Sequence, residues 1–362
     1  MKIVVCHNLY EPYERGGAER VVKDLIAAQQ AAGHELVLIT TRPRGRQLAP
    51  ATASAPEKEL KIYRLASFFY KLSAWPVFFR PLWHLANLLA INKYRKIKNI
   101  LRREKPDLVI THNLMGLGLM LPQAVRSLNI RHEHWLHDIQ LLHPSGLMIL
   151  GQENKIISFS ARSYQFLSRR LIGSPAKIIS PSRWLLREHE KRKFFPNSSR
   201  EISTQQPPPD PKTRADKSWA GDSPAGNNFL FVGQIEDHKG IFFLIKTFKR
   251  LPESNLKLLI IGDGSQLAAA KQAAGQDERI VFKGRQTSAA VKAAMLSADC
   301  LVVPSLCYEN FPTVIKEAQA TGLPVLAAAS GGILEMISTS DRLFKPGDEE
   351  DLLAKLKDGQ KK

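Results

Sequence analysis

The chain has 362 residues, 44% of them hydrophobic and 24% charged, with a formal net charge of +18. That length exceeds one ordinary domain and predicts two, with apolar residues ample for packed cores. Three cysteines, Cys6, Cys300 and Cys307, exclude a disulfide framework and lack metal-ligand spacing, which points to a reducing cytoplasm.

Met1 to Cys6 is too short for a signal h-region, and no run approaches the roughly twenty apolar residues needed to span a bilayer. The charge is unevenly spread: residues 1–200 carry 32 Lys and Arg against 14 Asp and Glu, residues 201–362 carry 20 against 20. Such asymmetry implies an anionic partner for the first half, nucleic acid or a membrane surface.

In chain order, K-I-V-V-C at Lys2 to Cys6 predicts a buried strand. A loop leads to Gly16 and Gly17, then a helical pattern runs from Ala18 to Ala32 and closes at Gly33. A strand from Glu35 to Thr40 completes a βαβ unit, which starts a doubly wound parallel sheet with ligands at the carboxyl ends of its strands. Leu65 to Ile91 mixes aromatic and basic residues, which fits either a membrane headgroup layer or a buried helical hairpin. The basic run Lys93 to Arg103 after it favours the membrane.

Further strands are predicted at Leu108 to Thr111, Ile130 to Leu136 and Lys177 to Ser180. From Pro196 to Asn228 the composition turns to Ser, Pro, Asp and Gly, with Pro207, Pro208 and Pro209 in the middle, and reads as a linker. Strand and helix then alternate again, with strands at Asn228 to Val232, Leu256 to Ile261, Arg279 to Phe282, Cys300 to Val303 and Pro324 to Ala328. The fold class is therefore α/β, two Rossmann-like doubly wound domains facing a central cleft. The boundaries are 1–195, a hinge over 196–227, and 228–362.

The densest chemistry lies in S-L-C-Y-E-N-F-P-T-V-I-K-E, Ser305 to Glu317. Pro312 suits a first helical position, which sets Glu309 in the loop ahead of the helix and Glu317 about two turns into it. The free N–H groups of Thr313 and Val314 suit a phosphate. Two carboxylates beside an anion site fit a sugar nucleotide, Glu317 accepting from ribose hydroxyls and Glu309 from sugar hydroxyls. The same residues also fit a helix with one capping and one solvated acid.

Four segments together resemble glycosyltransferase family 4, the retaining GT-B glycosyltransferases, over essentially the full length. They are E-R-G-G-A-E-R at Glu14 to Arg20, W-L-H-D at Trp135 to Asp138, F-V-G-Q-I-E-D-H-K-G at Phe231 to Gly240, and the Glu309/Glu317 pair running into A-x-x-x-G-L-P-V at Ala318 to Val325. Ser330-Gly331-Gly332 and Glu335 look like the family's S-G-G-x-x-E segment.

The resemblance implies transfer of a sugar from a nucleoside diphosphate sugar to a saccharide or lipid-linked acceptor, in cell-envelope polysaccharide or glycolipid synthesis. It implies no cofactor. With no D-x-D in the chain, a metal-independent reaction is expected, in which fixed groups stabilise the departing diphosphate. By the resemblance Lys239 contacts that diphosphate, and its replacement by alanine should abolish transfer while leaving the fold intact. Gln234 stands where many relatives carry arginine, so more of this work falls on Lys239, the Thr313/Val314 helix start and Arg285.

Gly16 and Gly17 are expected to approach a phosphate, and Arg285 to lie near the nucleobase. His137 is expected beside the transferred sugar in a front-face reaction where the leaving phosphate takes the acceptor proton. The expected catalytic residues are His137, Lys239 and Glu309. Donor contacts are expected from Gly16, Gly17, Gln234, Lys239, Arg285, Glu309, Asn310, Phe311, Pro312, Thr313, Val314 and Glu317. His132, His134 and His143 do not form a compact ligand set, because strand alternation puts His132 and His134 opposite His137, and no metal site is expected.

The expected location is the cytoplasm, peripheral on the inner face of the cell membrane through residues 65–103, with no nucleic-acid partner. The family's closing helix back to the first domain is not evident after Lys357, which points to a shortened or incomplete carboxyl end. The alternative function is a degenerate sugar-nucleotide or membrane-binding scaffold.

Overall fold

The computed structural model describes residues 1–14, 16–45, 60–70, 76, 80–203, 227–339 and 342–358. Its contacts divide the chain into two units, Met1–Leu147 with Asn154–Thr204, and Met148–Glu153 with Gln205–Lys362.

The first unit runs β1 (Lys2–Cys6), α1 (Gly17–Ala31), β2 (Glu35–Pro43), β3 (Lys61–Ser67), α2 (Arg80–Leu88), α3 (Ile91–Glu104), β4 (Leu108–Thr111), α4 (Leu121–Ser127), β5 (Arg131–Trp135), α5 (Asn154–Ile157), α6 (Phe159–Ile172), β6 (Lys177–Ser180), α7 (Arg183–Glu190) and β7 (Ser199–Ile202). The sheet order is β3-β2-β1-β4-β5-β6-β7, and every described pairing in it is parallel.

A parallel sheet is covered on both faces, so its central strands are apolar at every position. Ile3, Val4, Val5 and Cys6 are all buried accordingly. Ile3 and Val5 pack with Leu36, Leu38, Leu108 and Ile110 against Val22, Leu25 and Ile26, which form one stripe of α1. That helix ends as its sequence predicts. Gly33 takes φ +79°, its N–H donates to the Gln30 carbonyl at 2.9 Å, and the His34 N–H donates to the Gln29 carbonyl at 3.1 Å.

The second unit contains β8 (Asn228–Val232), α8 (Ile241–Phe248), β9 (Lys257–Ile261), α9 (Leu267–Ala274), β10 (Ile280–Gly284), α10 (Ser288–Ser297), β11 (Cys300–Val303), α11 (Thr313–Ala320), β12 (Val325–Ala328), β13 (Leu343–Phe344) and α12 (Glu349–Asp358). Its order is β10-β9-β8-β11-β12-β13. Alternate residues of one strand serve opposite faces. Phe229 and Phe231 join Leu258, Ile260 and Val302 in one core, while Leu230 joins Ile261, Leu301 and Val303 in the other.

Both sheets reverse direction of winding between their first and fourth strands, β1/β4 and β8/β11. Loops leaving the carboxyl ends of those strands diverge and leave room for a ligand.

The structure differs from the sequence reading in several places. Leu65 to Ser67, inside the stretch read as a membrane segment or helical hairpin, end strand β3, and 71–75 and 77–79 of that stretch lie outside the described residues. Ser199–Ile202, placed in the hinge by composition, is edge strand β7 paired with β6, so the 1–195 boundary falls short. Residues 204–226 of the hinge lie outside the described residues.

Met148–Glu153 belongs to the second unit, where Ile149 forms a bridge with Cys307 and the Leu150 N–H donates to the Leu306 carbonyl at 3.0 Å. Among the described residues, no helix is long and apolar enough to cross a membrane.

Candidate active site

In the second unit, the loops after β8 and β11 carry the predicted residues. The chain leaves β8 through Gly233 and Gln234, makes a short 3-10 turn at Asp237–Lys239, and enters α8 at Gly240 with φ +74°. A Cβ at Gly240 would stand 1.8 Å from the Pro304 carbonyl oxygen. Only glycine fits there, and that contact presses the Lys239 turn against the start of the β11 loop. The Leu306 N–H donates to the His238 carbonyl at 2.9 Å and ties the loops again.

Glu309 is the hub. Its Oε1 accepts from Lys239 Nζ at 2.7 Å and from Ser305 Oγ at 2.7 Å, with Cys307 Sγ at 3.9 Å. Its backbone carbonyl accepts the Gly332 N–H at 2.7 Å, and a Cβ on Gly331 would come within 2.3 Å of that carbonyl oxygen. The Glu309 side chain is 11% exposed and that of Lys239 27%. Burial by itself pushes the Glu309 carboxyl upward, but the Lys239 charge and the two hydrogen bonds outweigh it and hold the group below its ordinary value. For Lys239 burial works downward, and the Glu309 charge holds the amine above its ordinary value. The pair is therefore fully ionised at neutral pH. Burial and the adjacent carboxylate push the Cys307 thiol up to about 12, so it is no nucleophile.

Pro312 is the N-cap of α11 rather than its first helical residue, and it makes no side-chain cap hydrogen bond. Thr313 and Val314 therefore open the helix, as expected, with first-turn N–H groups at its positive end. Glu317 follows Thr313 by four positions and shares its face. Asn310 Oδ1 is buried without a partner among the described residues, and Lys316 Nζ lies 4.9 Å from the Phe311 ring centroid. Gln234 and Arg285 are exposed on the loops after β8 and β10.

In the first unit, Gly16 is the N-cap of α1 with Gly17 its first residue, and the Gly16 N–H donates to Glu19 Oε2 at 2.9 Å. That N–H is thus already occupied by a carboxylate of the same helix. His137 lies two residues past β5, with its Nε2 2.8 Å from His112 Nδ1. Burial lowers its pKa to about 4.

Asp138 accepts from the Gln140 N–H at 2.7 Å and from Asn113 Nδ2 at 3.3 Å, yet burial still raises its pKa to about 6. His132 and His134 lie on one side of β5, as alternation requires, both 2.8 Å from the Thr111 hydroxyl. Among the described residues, no three His, Cys, Asp or Glu side chains are placed to hold a metal ion.

Sequence reading missed Ser305, His112 and the use of Gly331 and Gly332. Ser305 was discoverable as the residue four before Glu309. His112 follows the apolar strand β4, the position a switch point marks.

The family model described as Glycosyltransferase Family 4 matches residues 15–202, and that described as Glycosyl transferases group 1 matches residues 215–359. An uncharacterized 42.6 kDa protein in the cps region of Klebsiella pneumoniae is 24% identical over 359 residues, 97% of this chain and 91% of that protein. A lipopolysaccharide 1,2-N-acetylglucosaminetransferase of Salmonella typhimurium is 28% identical over 239 residues, 60% of this chain and 62% of the enzyme. Among solved structures, Anabaena HepE in complex with UDP and glucose superposes with a TM-score of 0.66 at 18% identity, over 98% of this chain and 89% of that one. Two doubly wound units of this kind are the GT-B fold, and with the first family model spanning the strands that carry His112 and His137, the chain belongs to Glycosyltransferase Family 4.

Proposed function

We propose that the protein is a retaining, metal-independent transferase that moves a sugar from a nucleoside diphosphate sugar to a saccharide or lipid-linked acceptor of the cell envelope. The observation that carries this is the ionised Lys239–Glu309 pair beside the β8/β11 switch point. Lys239 supplies the fixed positive charge that a departing diphosphate requires. Glu309 keeps that lysine charged and placed. Among the described residues, all three side-chain contacts to Glu309 fall on Oε1, and we assign Oε2 to a sugar hydroxyl.

The start of α11 adds N–H donors for phosphate oxygens, and Glu317, one turn beyond, takes the ribose hydroxyls. The acceptor class follows from relatives named for lipopolysaccharide and phosphatidyl-myo-inositol substrates.

The test is thermal stability with UDP, GDP, ADP or CDP in the presence of chelator. One nucleotide at about a hundredfold over its Kd should stabilise by about 2.7 kcal/mol, and Glu317→Ala should remove most of that gain. If none of the four raises the melting temperature, the protein is not a nucleotide-sugar enzyme and the scaffold alternative takes its place.

Membrane association belongs to the same proposal. Helix α3 buries Ile97, Ile100 and Leu101 and exposes Arg95, Lys96, Arg102 and Arg103, while Leu85, Leu89 and Ile91 stand 46%, 46% and 53% exposed. Apolar side chains beside cations suit an anionic headgroup layer. The protein should float with phosphatidylserine vesicles at low salt and lose this in Arg95→Glu/Lys96→Glu. Equal flotation with neutral vesicles, or none, removes the membrane from the reading.

A further inference from the structure

Three histidines gather where the first sheet reverses its winding. His7 is one residue past β1, His112 one past β4, and His137 two past β5. The His7 ring stands edge-on to His112 at 5.8 Å and lies 6.2 Å from His137, and the His112 and His137 rings are 5.1 Å apart. Among the described residues, one hydrogen bond occurs between these three rings, joining His112 Nδ1 to His137 Nε2 at 2.8 Å.

A hydrogen bond between two neutral imidazoles needs a proton on one nitrogen and a lone pair on the other. The surroundings of His112 decide which. Its ring is fully buried, and its Nε2 has no protein partner among the described residues. If His112 carried its proton on Nε2, a buried donor would have no protein acceptor among the described residues. With the proton on Nδ1, only an acceptor is left unfilled, which structures tolerate better.

The neighbourhood agrees. The indole Nε1–H of Trp135, always a donor, is also buried without a partner among the described residues. Trp135, His112 and His137 line one cavity of about 20 Å³, room for about one water. Such a water can accept from Trp135 and donate to His112 Nε2, an arrangement that satisfies both groups with the His112 proton on Nδ1.

We propose that His112 is a positioning residue for His137: it donates its Nδ1–H to His137 Nε2 and fixes His137 as the Nδ1–H tautomer. This rests on the reading that His137 meets the transferred sugar. His137 then offers that sugar a donor, Nδ1–H, to a hydroxyl oxygen. Its single lone pair is already engaged by His112, so it is not the base that takes the acceptor proton. Burial of both rings supports the neutral forms, since His112 is held well below its ordinary pKa and His137 at about 4.

The experiment is long-range ¹H–¹⁵N correlation of the protein with ¹⁵N-labelled histidine at pH 7.5, with the His137 signals assigned from His137→Gln. His137 is expected as the Nδ1–H form, and an Nε2–H form overturns the proposal. In His112→Leu the population of His137 should shift to the Nε2–H form that free imidazole side chains prefer, whereas His112→Asn, whose amide nitrogen sits near the place of Nδ1, should retain Nδ1–H. An unchanged His137 tautomer in a folded His112→Leu protein overturns the positioning role. Should His112→Leu not fold, the wild-type spectrum and His112→Asn still decide. Because the readout needs no donor or acceptor, it stands apart from the nucleotide test of the sugar-transfer reading.

Discussion

Acidification from pH 7.5 to 5.5 is expected to destabilise the first unit by several kcal/mol. Burial holds seven of its described histidines below their ordinary pKa: His132 at about 3, His137 and His189 at about 4, His7, His112 and His134 well below it, and His143 below it. Their folded-state values lie under the unfolded value near 6.5, so the unfolded chain binds more protons throughout that interval. Stability is therefore intact above about pH 6.5 and falls as pH drops through the window.

At pH 5.5 each of His132, His137 and His189 costs about 1.4 kcal/mol, about 4 kcal/mol together, and the other four add to this. Asp138 works in the opposite sense. Its raised folded value, about 6, lets the folded state take up a proton first, which returns about 1 kcal/mol. Against a domain stability of about 5–15 kcal/mol the net loss is large. Calorimetry over this pH range should show a transition moving down by ten degrees or more. A melting temperature that is flat between pH 7.5 and 5.5 would show that these rings are not buried and neutral.

Lys239→Ala is expected to reduce transfer by a factor of about 10² or more, the scale on which a fixed group facing developing charge contributes. The sequence alone led to the expectation that the fold would be untouched. The geometry corrects this: without Lys239, Glu309 is a carboxylate 11% exposed with only Ser305 donating strongly to it. Stranding a buried charge costs about 3 kcal/mol or more, so the second unit should melt roughly 5–10 °C lower.

A paired variant separates the two effects. Lys239→Met with Glu309→Gln removes both charges and should recover much of the stability while transfer stays lost. Thermal melts and initial rates on the three proteins check this. Wild-type transfer by either variant would take Lys239 out of the reaction.

The layout was legible because each central strand advertises itself locally. Lys2–Cys6, Leu108–Thr111, Asn228–Val232 and Cys300–Val303 are short apolar runs between helical patterns, and burial on both faces demands such runs. The strands that escaped notice sit at sheet edges. β7 is exposed along most of its length, β3 breaks its apolar residues with Lys61, Arg64 and Ser67, and β13 spans two residues; edge positions ask for no continuous apolar signal.

The sequence by itself determined the two winding sheets, the position of the candidate residues at strand ends, and the glycines that turn the chain there. Only the tertiary structure decided their partners. Lys239 meets Glu309 across 70 residues of chain and His112 meets His137 across 25. No local pattern encodes such pairings, because they arise only when parallel strands distant in sequence bring their carboxyl ends side by side. The charge state of these groups was equally hidden. It is set by how much water the fold removes and which charge it leaves within reach.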